Sequence, residues 1–264
     1  MNSKLILILL LLSPSFSFAQ IPAHYYNSVS NQIGQELKST LHQIIKGHKE
    51  FPYSSKSTDV WDILKISDQD PNDSACVIGF YSGFSMDANT EYNNGQGWNR
   101  EHVWAKSRGD FGTKKGAGTD LHHLRAADIS TNSARNNRNF DNGGEQYIDV
   151  SGFYNGQTNS FKNDSIWCWE ARDEVKGDVA RMMFYMVVRY EESELDLELT
   201  DSLFNRSSKA PLHSKLSVLL EWHKVDPVDS LERVRNNIIY SYQNNRNPFI
   251  DHPEWVELIW RETE

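Results

Sequence analysis

The sequence predicts an α+β fold, and three observations predict it. Apolar residues recur at helical spacing toward both ends of the chain, and two short strand-like runs flank a glycine- and lysine-rich loop in its middle. No repeat, low-complexity linker or break in composition divides the 264 residues. With 38% hydrophobic and 12% aromatic content, a chain of this length can bury a sizeable core. One domain is expected over residues 20–264.

Each element follows from its local pattern. "IGQELKSTLHQIIKGH" carries Ile33, Leu37, Leu41, Ile44 and Ile45 on one face, which predicts an amphipathic helix ending near Gly47. "TDVWDILKISD" predicts a second, shorter helix. "ACVIGFYSG" is a short apolar run that closes on Gly83 and suits a buried strand, and "DANTEYNNGQGW" is a surface loop. "REHVWAKS" and "DLHHLRAADI" read as strands on either side of the loop "RGDFGTKKGAGTD". "STNSARNNRNF" then predicts a short helix capped by Ser130 or Thr131. "DEVKGDVARMMFYMVVRYEE" is a strong helix with Val179, Met182, Met183, Met186 and Val187 on one face, and "LHSKLSVLLEWHKVDP" is another. Asp226 is expected to cap a further helix with Pro227 at its first position and Leu231, Val234, Ile238 and Ile239 turned inward. "HPEWVELIW" adds a last helical turn or two.

The first twenty residues, MNSKLILILLLLSPSFSFAQ, combine a basic start at Lys4, an apolar run from Leu5 to Leu12, and Ser17 and Ala19 at the spacing of a signal-peptidase site. A signal peptide over residues 1–19 is expected, and with it a secreted or periplasmic protein. A span needs roughly 20 apolar residues, and Pro14 shortens this run below that. No later segment is apolar enough, so no membrane contact is expected after cleavage. Cys76 and Cys168 fit one disulfide or two buried thiols equally well, and two cysteines cannot build a four-thiolate zinc site.

The net charge of −9 argues against tight polyanion binding, but the charge is unevenly spread. From Arg100 to Arg138 eight basic residues (Arg100, Lys106, Arg108, Lys114, Lys115, Arg125, Arg135, Arg138) face four acids (Glu101, Asp110, Asp120, Asp128), a local +4. Such a face can touch phosphate without holding it tightly.

Within that face, "NREHVWAKS" sets Glu101 beside His102. On a regular strand neighbouring side chains leave opposite faces, but near a strand end both can reach one site. There a carboxylate can hold a hard cation while an imidazole, with an ordinary pKa near 6.5, takes a proton from water. Phosphodiester hydrolysis calls for that division of labour. Downstream, "DLHHLRAADISTNSARNN" offers the amide oxygen of Asn132 to an oxygen-liganded site of the magnesium type, and Arg135 as a bidentate phosphate partner.

These blocks, with "NNRNPFIDHPEWVELIW" near the end, resemble the endonuclease I family of secreted and periplasmic nucleases over residues 24–260. The resemblance implies a ββα-metal (His-Me finger) core embedded among helices. It implies that His102 is the general base, that Glu101 and Asn132 hold one magnesium ion, for which manganese or calcium can substitute, and that Arg135 lies near the substrate phosphate. An arginine that some members carry in the loop between the strands has no match here; Lys114 or Lys115 is the available substitute. A monomer acting on DNA, with RNA left open, is expected.

Other readings are weighed on the same residues. A secreted zinc hydrolase would need His102, His122 and His123 to converge on one ion at about 2.0–2.1 Å. A non-catalytic nucleic-acid-binding module would use the basic stretch alone. His122 and His123 face opposite ways on a strand, so one at most reaches the cleft, and Asp120 is read as orienting a neighbour. Arg246 and Asp251 are expected to pair, and Trp98 and Trp104 to shape the cleft wall.

Overall fold

The computed structural model describes residues 21–192 and 195–260, so the expected signal peptide over residues 1–19 lies outside the described residues. Helix α1 (Gly34–Ile45) buries Leu37, Leu41 and Ile45 as its spacing predicts. Helix α2 (Val60–Ser67) starts at Asp59, whose carboxylate accepts from the backbone of Trp61 and Asp62 while Asp62 reaches back in a reciprocal cap. Strands β1 (Gln69–Asp70), β2 (Asp73–Ile78) and β3 (Ser85–Asp87) form a small antiparallel sheet.

Strand β4 (Trp98–His102) pairs antiparallel with β5 (Leu124–Asp128), Glu101 opposite Arg125 and His102 opposite Leu124. Both strands are shorter than the sequence predicts, because Gly109, Gly112 and Gly116 adopt positive φ and the intervening chain folds into turns. Helix α3 (Ile129–Arg135) follows β5 directly. Its cap is Asp128, which accepts from the Thr131 amide, and neither Ser130 nor Thr131 takes that role. The last residue of the strand thus starts the helix without an intervening loop.

Strands β6 (Asn139–Phe140), β7 (Glu145–Asp149), β8 (Gly156–Asn163) and β9 (Cys168–Glu170) build a four-stranded sheet in the order β6-β9-β8-β7. Helix α4 (Lys176–Arg189) runs through the core, buried on every face from Gly177 to Val188 and so wider in its contacts than the expected apolar stripe. Gly177 is required there: a Cβ would lie 2.0 Å from the Asp226 carbonyl. The short parallel pair β10 (Glu198–Leu199) and β11 (Leu212–His213) precedes helices α5 (Leu216–Val225), α6 (Ser230–Gln243), α7 (Pro248–Asp251) and α8 (Trp255–Trp260).

Helix α6 departs from the sequence expectation in two ways. Asp229, and not Asp226, is its cap, locked by a reciprocal contact with Glu232. Leu231 and Val234 are 50% and 43% exposed, and the inward face is Glu232, Arg235, Asn236, Ile239 and Gln243. That face is polar because it answers buried charges: Arg235 donates to Asp68 at 2.7 Å and to the Leu121 and Leu124 carbonyls, and Glu232 accepts from Nε and Nη2 of Arg181 on its two oxygens. Arg246 and Asp251 pair bidentately at 2.6 and 2.8 Å, as expected.

Cys76 and Cys168 are both free thiols, on β2 and β9. Among the described residues no helix is long and apolar enough to cross a membrane.

Candidate active site

The end of β4, the start of the following loop and one side of α3 enclose a cavity of about 380 Å³, lined by Glu101, His102, Lys106, Asn132, Asn136 and Asn137 among others. Three of the four residues singled out by the sequence therefore share one wall. The ribbon and the helix account for this: Asp128 ends β5 and caps α3, so Asn132, one turn in, comes back over β4, where its amide nitrogen donates to Asn99 Oδ1 at 2.7 Å. That contact leaves the Asn132 amide oxygen for another partner.

Glu101 is 3% exposed. Its Oε1 accepts from the Tyr81 hydroxyl at 2.8 Å and pairs with Arg135 Nη1 at 3.1 Å. Burial pushes the carboxyl up to about 7, a pull that Arg135 and Tyr81 only partly oppose.

His102 is buried, and its Nε2 lies 3.0 Å from the Gly118 carbonyl. A carbonyl only accepts, so Nε2 carries the proton and Nδ1 is the basic nitrogen. Burial, and next the neighbouring His123, hold the imidazole well below its ordinary pKa, so it is neutral at pH 7. Tyr53 stacks on its face with ring centroids 5.7 Å apart. Gly118 is irreplaceable in this arrangement, since a Cβ there would meet the Gly112 carbonyl and Thr113 backbone at 2.8 Å.

Arg135 does not take the expected place as a phosphate fork. It is fully buried and absent from the cavity wall; beyond Glu101, it donates to the carbonyls of His102 at 3.1 Å and Val103 at 2.6 Å. Thr131 and Arg135 lie one turn apart on the inward side of α3. The arginine therefore fixes the end of β4, carboxylate included. Lys114 and Lys115 do not reach the cavity either, whereas Lys106, exposed and on its wall, has no carboxylate within 4.0 Å among the described residues. Trp98 and Trp104 are core residues and do not line the cleft.

His122 and His123 also stay out of the cavity. His122 Nε2 faces the Asn245 carbonyl at 3.1 Å and His123 Nε2 the Ala117 carbonyl at 2.7 Å. With His102 held by Gly118, the three imidazoles are directed to three different carbonyls, and among the described residues no group of three His, Cys, Asp or Glu side chains is placed to hold a metal ion. That geometry removes the zinc reading. Asp120 does orient neighbours, accepting from the Tyr185 and Tyr190 hydroxyls at 2.9 and 3.0 Å and from Gln243 at 3.0 Å.

Sequence reading missed Tyr53, Tyr81 and Lys106 as site residues. The tyrosines come from distant segments with no local signal, while Lys106 stands within "NREHVWAKS" and adds to the local positive charge there.

The family model described as Endonuclease I matches residues 33–254. The chain belongs to the endonuclease I family. Among curated proteins it is similar to an extracellular ribonuclease of Bacillus subtilis (strain 168), 53% identical over 256 residues that cover 96% of this chain and 83% of the relative. An extracellular ribonuclease of Bacillus amyloliquefaciens is 54% identical over 239 residues, 89% of this chain and 78% of the relative. This endonuclease I family member is a secreted nuclease with nucleic acid as its substrate class, which sets aside the non-catalytic binding module.

Proposed function

We propose that this protein cuts phosphodiester bonds within nucleic-acid strands, with little sequence preference, using His102 as general base beside one magnesium ion. The reading rests on one observation above all: Glu101, His102 and Asn132 line the same cavity, at the junction of an antiparallel ribbon and the helix that follows it. Ribbon and helix are read as the ββα-metal element, in the strand–loop–strand–helix order that the motif requires.

The donor set fits the ion. A carboxylate of Glu101 and an amide oxygen of Asn132 are hard ligands, and magnesium keeps its other positions for water and phosphate. When bound, the ion neutralises charge on the scissile phosphate and the leaving oxygen. The chain does the rest. Gly118 and Tyr53 hold the His102 ring so that Nδ1 takes the proton of the attacking water. Arg135 is a positioning residue that keeps Glu101 at the strand end. Lys106 offers an ammonium to a non-bridging phosphate oxygen, the part expected of Lys114 or Lys115.

Contacts to phosphate carry no sequence information, which supports broad tolerance. The names of both relatives support RNA as a substrate beside DNA. The protein acts as a monomer.

The test is digestion of supercoiled plasmid and of single-stranded RNA by the purified mature protein with magnesium, with EDTA, and as His102→Ala. Both cleavages should vanish in EDTA and fall roughly 10²–10⁴-fold in the variant. Cutting in EDTA overturns the metal, and a wild-type rate in His102→Ala overturns the base.

A further inference from the structure

Asn137 lines the cavity wall and ties it by a hydrogen bond to an indole outside the cavity. Asn137 Nδ2 donates to Ser107 Oγ at 3.0 Å and to the Arg206 carbonyl at 2.9 Å, and its Oδ1 accepts from Trp167 Nε1 at 2.9 Å. Trp167 sits at φ +57°, a left-handed backbone that is rare for a bulky residue, with its carbonyl held by the Asn139 amide at 3.0 Å.

Two guanidiniums share that indole, Arg138 at 3.6 Å and Arg206 at 5.5 Å from the ring centroid. Arg138 has a partner in Asp164. Arg206 is exposed and, among the described residues, has no carboxylate within 4.0 Å. Asp164 answers the charge of Arg138, which leaves Arg206 as the guanidinium of this pair that an outside anion can meet. A guanidinium supported on an aromatic face is also well suited to a bidentate phosphate contact.

We infer that Arg206, carried on Trp167, binds the phosphate of a nucleotide flanking the scissile bond, so that the enzyme engages a run of strand and not an isolated phosphodiester. This rests on the function proposed above, and the shared residue Asn137 is what connects the two sites. A single-stranded or locally opened strand of either sugar supplies such a phosphate.

The test compares cleavage of a dinucleoside monophosphate, which has no flanking phosphate, with cleavage of a longer oligonucleotide strand. Arg206→Gln should raise KM for the strand roughly fivefold or more with kcat retained, reduce the salt dependence of that KM by about one phosphate contact, and affect the dinucleotide less. Arg206→Lys should recover most of the loss. Lys224→Gln, a charge lost on α5, controls for net charge. Equal losses on both substrates, or a wild-type KM for the strand, overturn the inference. Because the Arg206 backbone carbonyl holds Asn137 and survives substitution, unchanged thermal unfolding is expected. If His102→Ala still cuts, the active-site reading fails; if it is inactive while Arg206→Gln binds the strand normally, only the flanking site fails.

Discussion

Glu101 and Asp120 are buried carboxylates at the two ends of one connection, Glu101 near the end of β4 and Asp120 where the chain returns toward β5, and their surroundings make them opposites. Asp120 has donors on both oxygens, from Tyr185, Tyr190, Gln243 and the His122 amide. Burial alone would raise its pKa, but His48, His122 and His123, which are protonated only in the acid range where Asp120 itself would titrate, and Arg189 more than offset this and hold it well below the usual carboxylate range. Glu101 has the Tyr81 hydroxyl and Arg135 on Oε1 and a further backbone contact with His102, and burial still wins. A buried carboxylate whose partners outweigh its burial stays charged and fixes structure; one whose burial outweighs its partners favours the neutral form. The contrast separates a hydrogen-bonded hub behind the ribbon from the proposed reactive edge in front of it.

Acid should break the hub first, with the largest effect. Burial pushes His122 and His123 from 6.5 down to about 4. The unfolded chain therefore takes up protons below about 6.5 that the folded chain refuses until about 4, so their contribution to stability is complete above pH 6.5 and is lost between 6.5 and 4. Each shift is bounded near 3 kcal/mol. Urea midpoints measured across this window should fall steadily, and His122→Gln should flatten the slope.

At constant pH, Asp120→Asn should destabilise by about 3 kcal/mol, since it breaks a buried network and leaves hydroxyls competing for one acceptor. Chemical denaturation reads it directly. Glu101→Gln should do the reverse of what its burial suggests: in EDTA its unfolding midpoint should be no lower than that of the wild type, while the proposed magnesium-dependent cleavage should be lost. Equal destabilisation by the two substitutions would abolish the distinction drawn between them. A smaller effect is expected from Asp128→Ala, which removes the cap of α3 at about 1 kcal/mol and displaces Asn132, so activity should fall more than stability. Smallest is Leu231→Ala on α6, within about 0.5 kcal/mol, because that side chain is half exposed.

The sequence made the reactive edge more legible than the hub. Glu101 and His102 are neighbours at a strand end, while Asn132 reaches them through the pairing of β4 with β5 and the helix that follows, an assignment that the family resemblance implies and local spacing does not. Arg135 misled because an arginine one turn from Asn132 reads as exposed, while the turn of α3 points it inward at Glu101. Helix α6 misled for the same reason, its buried face being chosen by the charges of Asp68 and Arg181 and not by apolarity. The sheet β6–β9 gave no signal: β7 shows Glu145, Gln146 and Ile148 to solvent, so the alternation that marks a half-buried strand is absent.

The two thiols carry a consequence for the life of the protein outside the cell. With Cys76 and Cys168 unlinked, the chain completes its fold after export without an oxidant or an isomerase, and reduction by its surroundings removes nothing that holds it together. Its working range is then bounded by acidity, through the buried histidines, and not by the redox state of the medium.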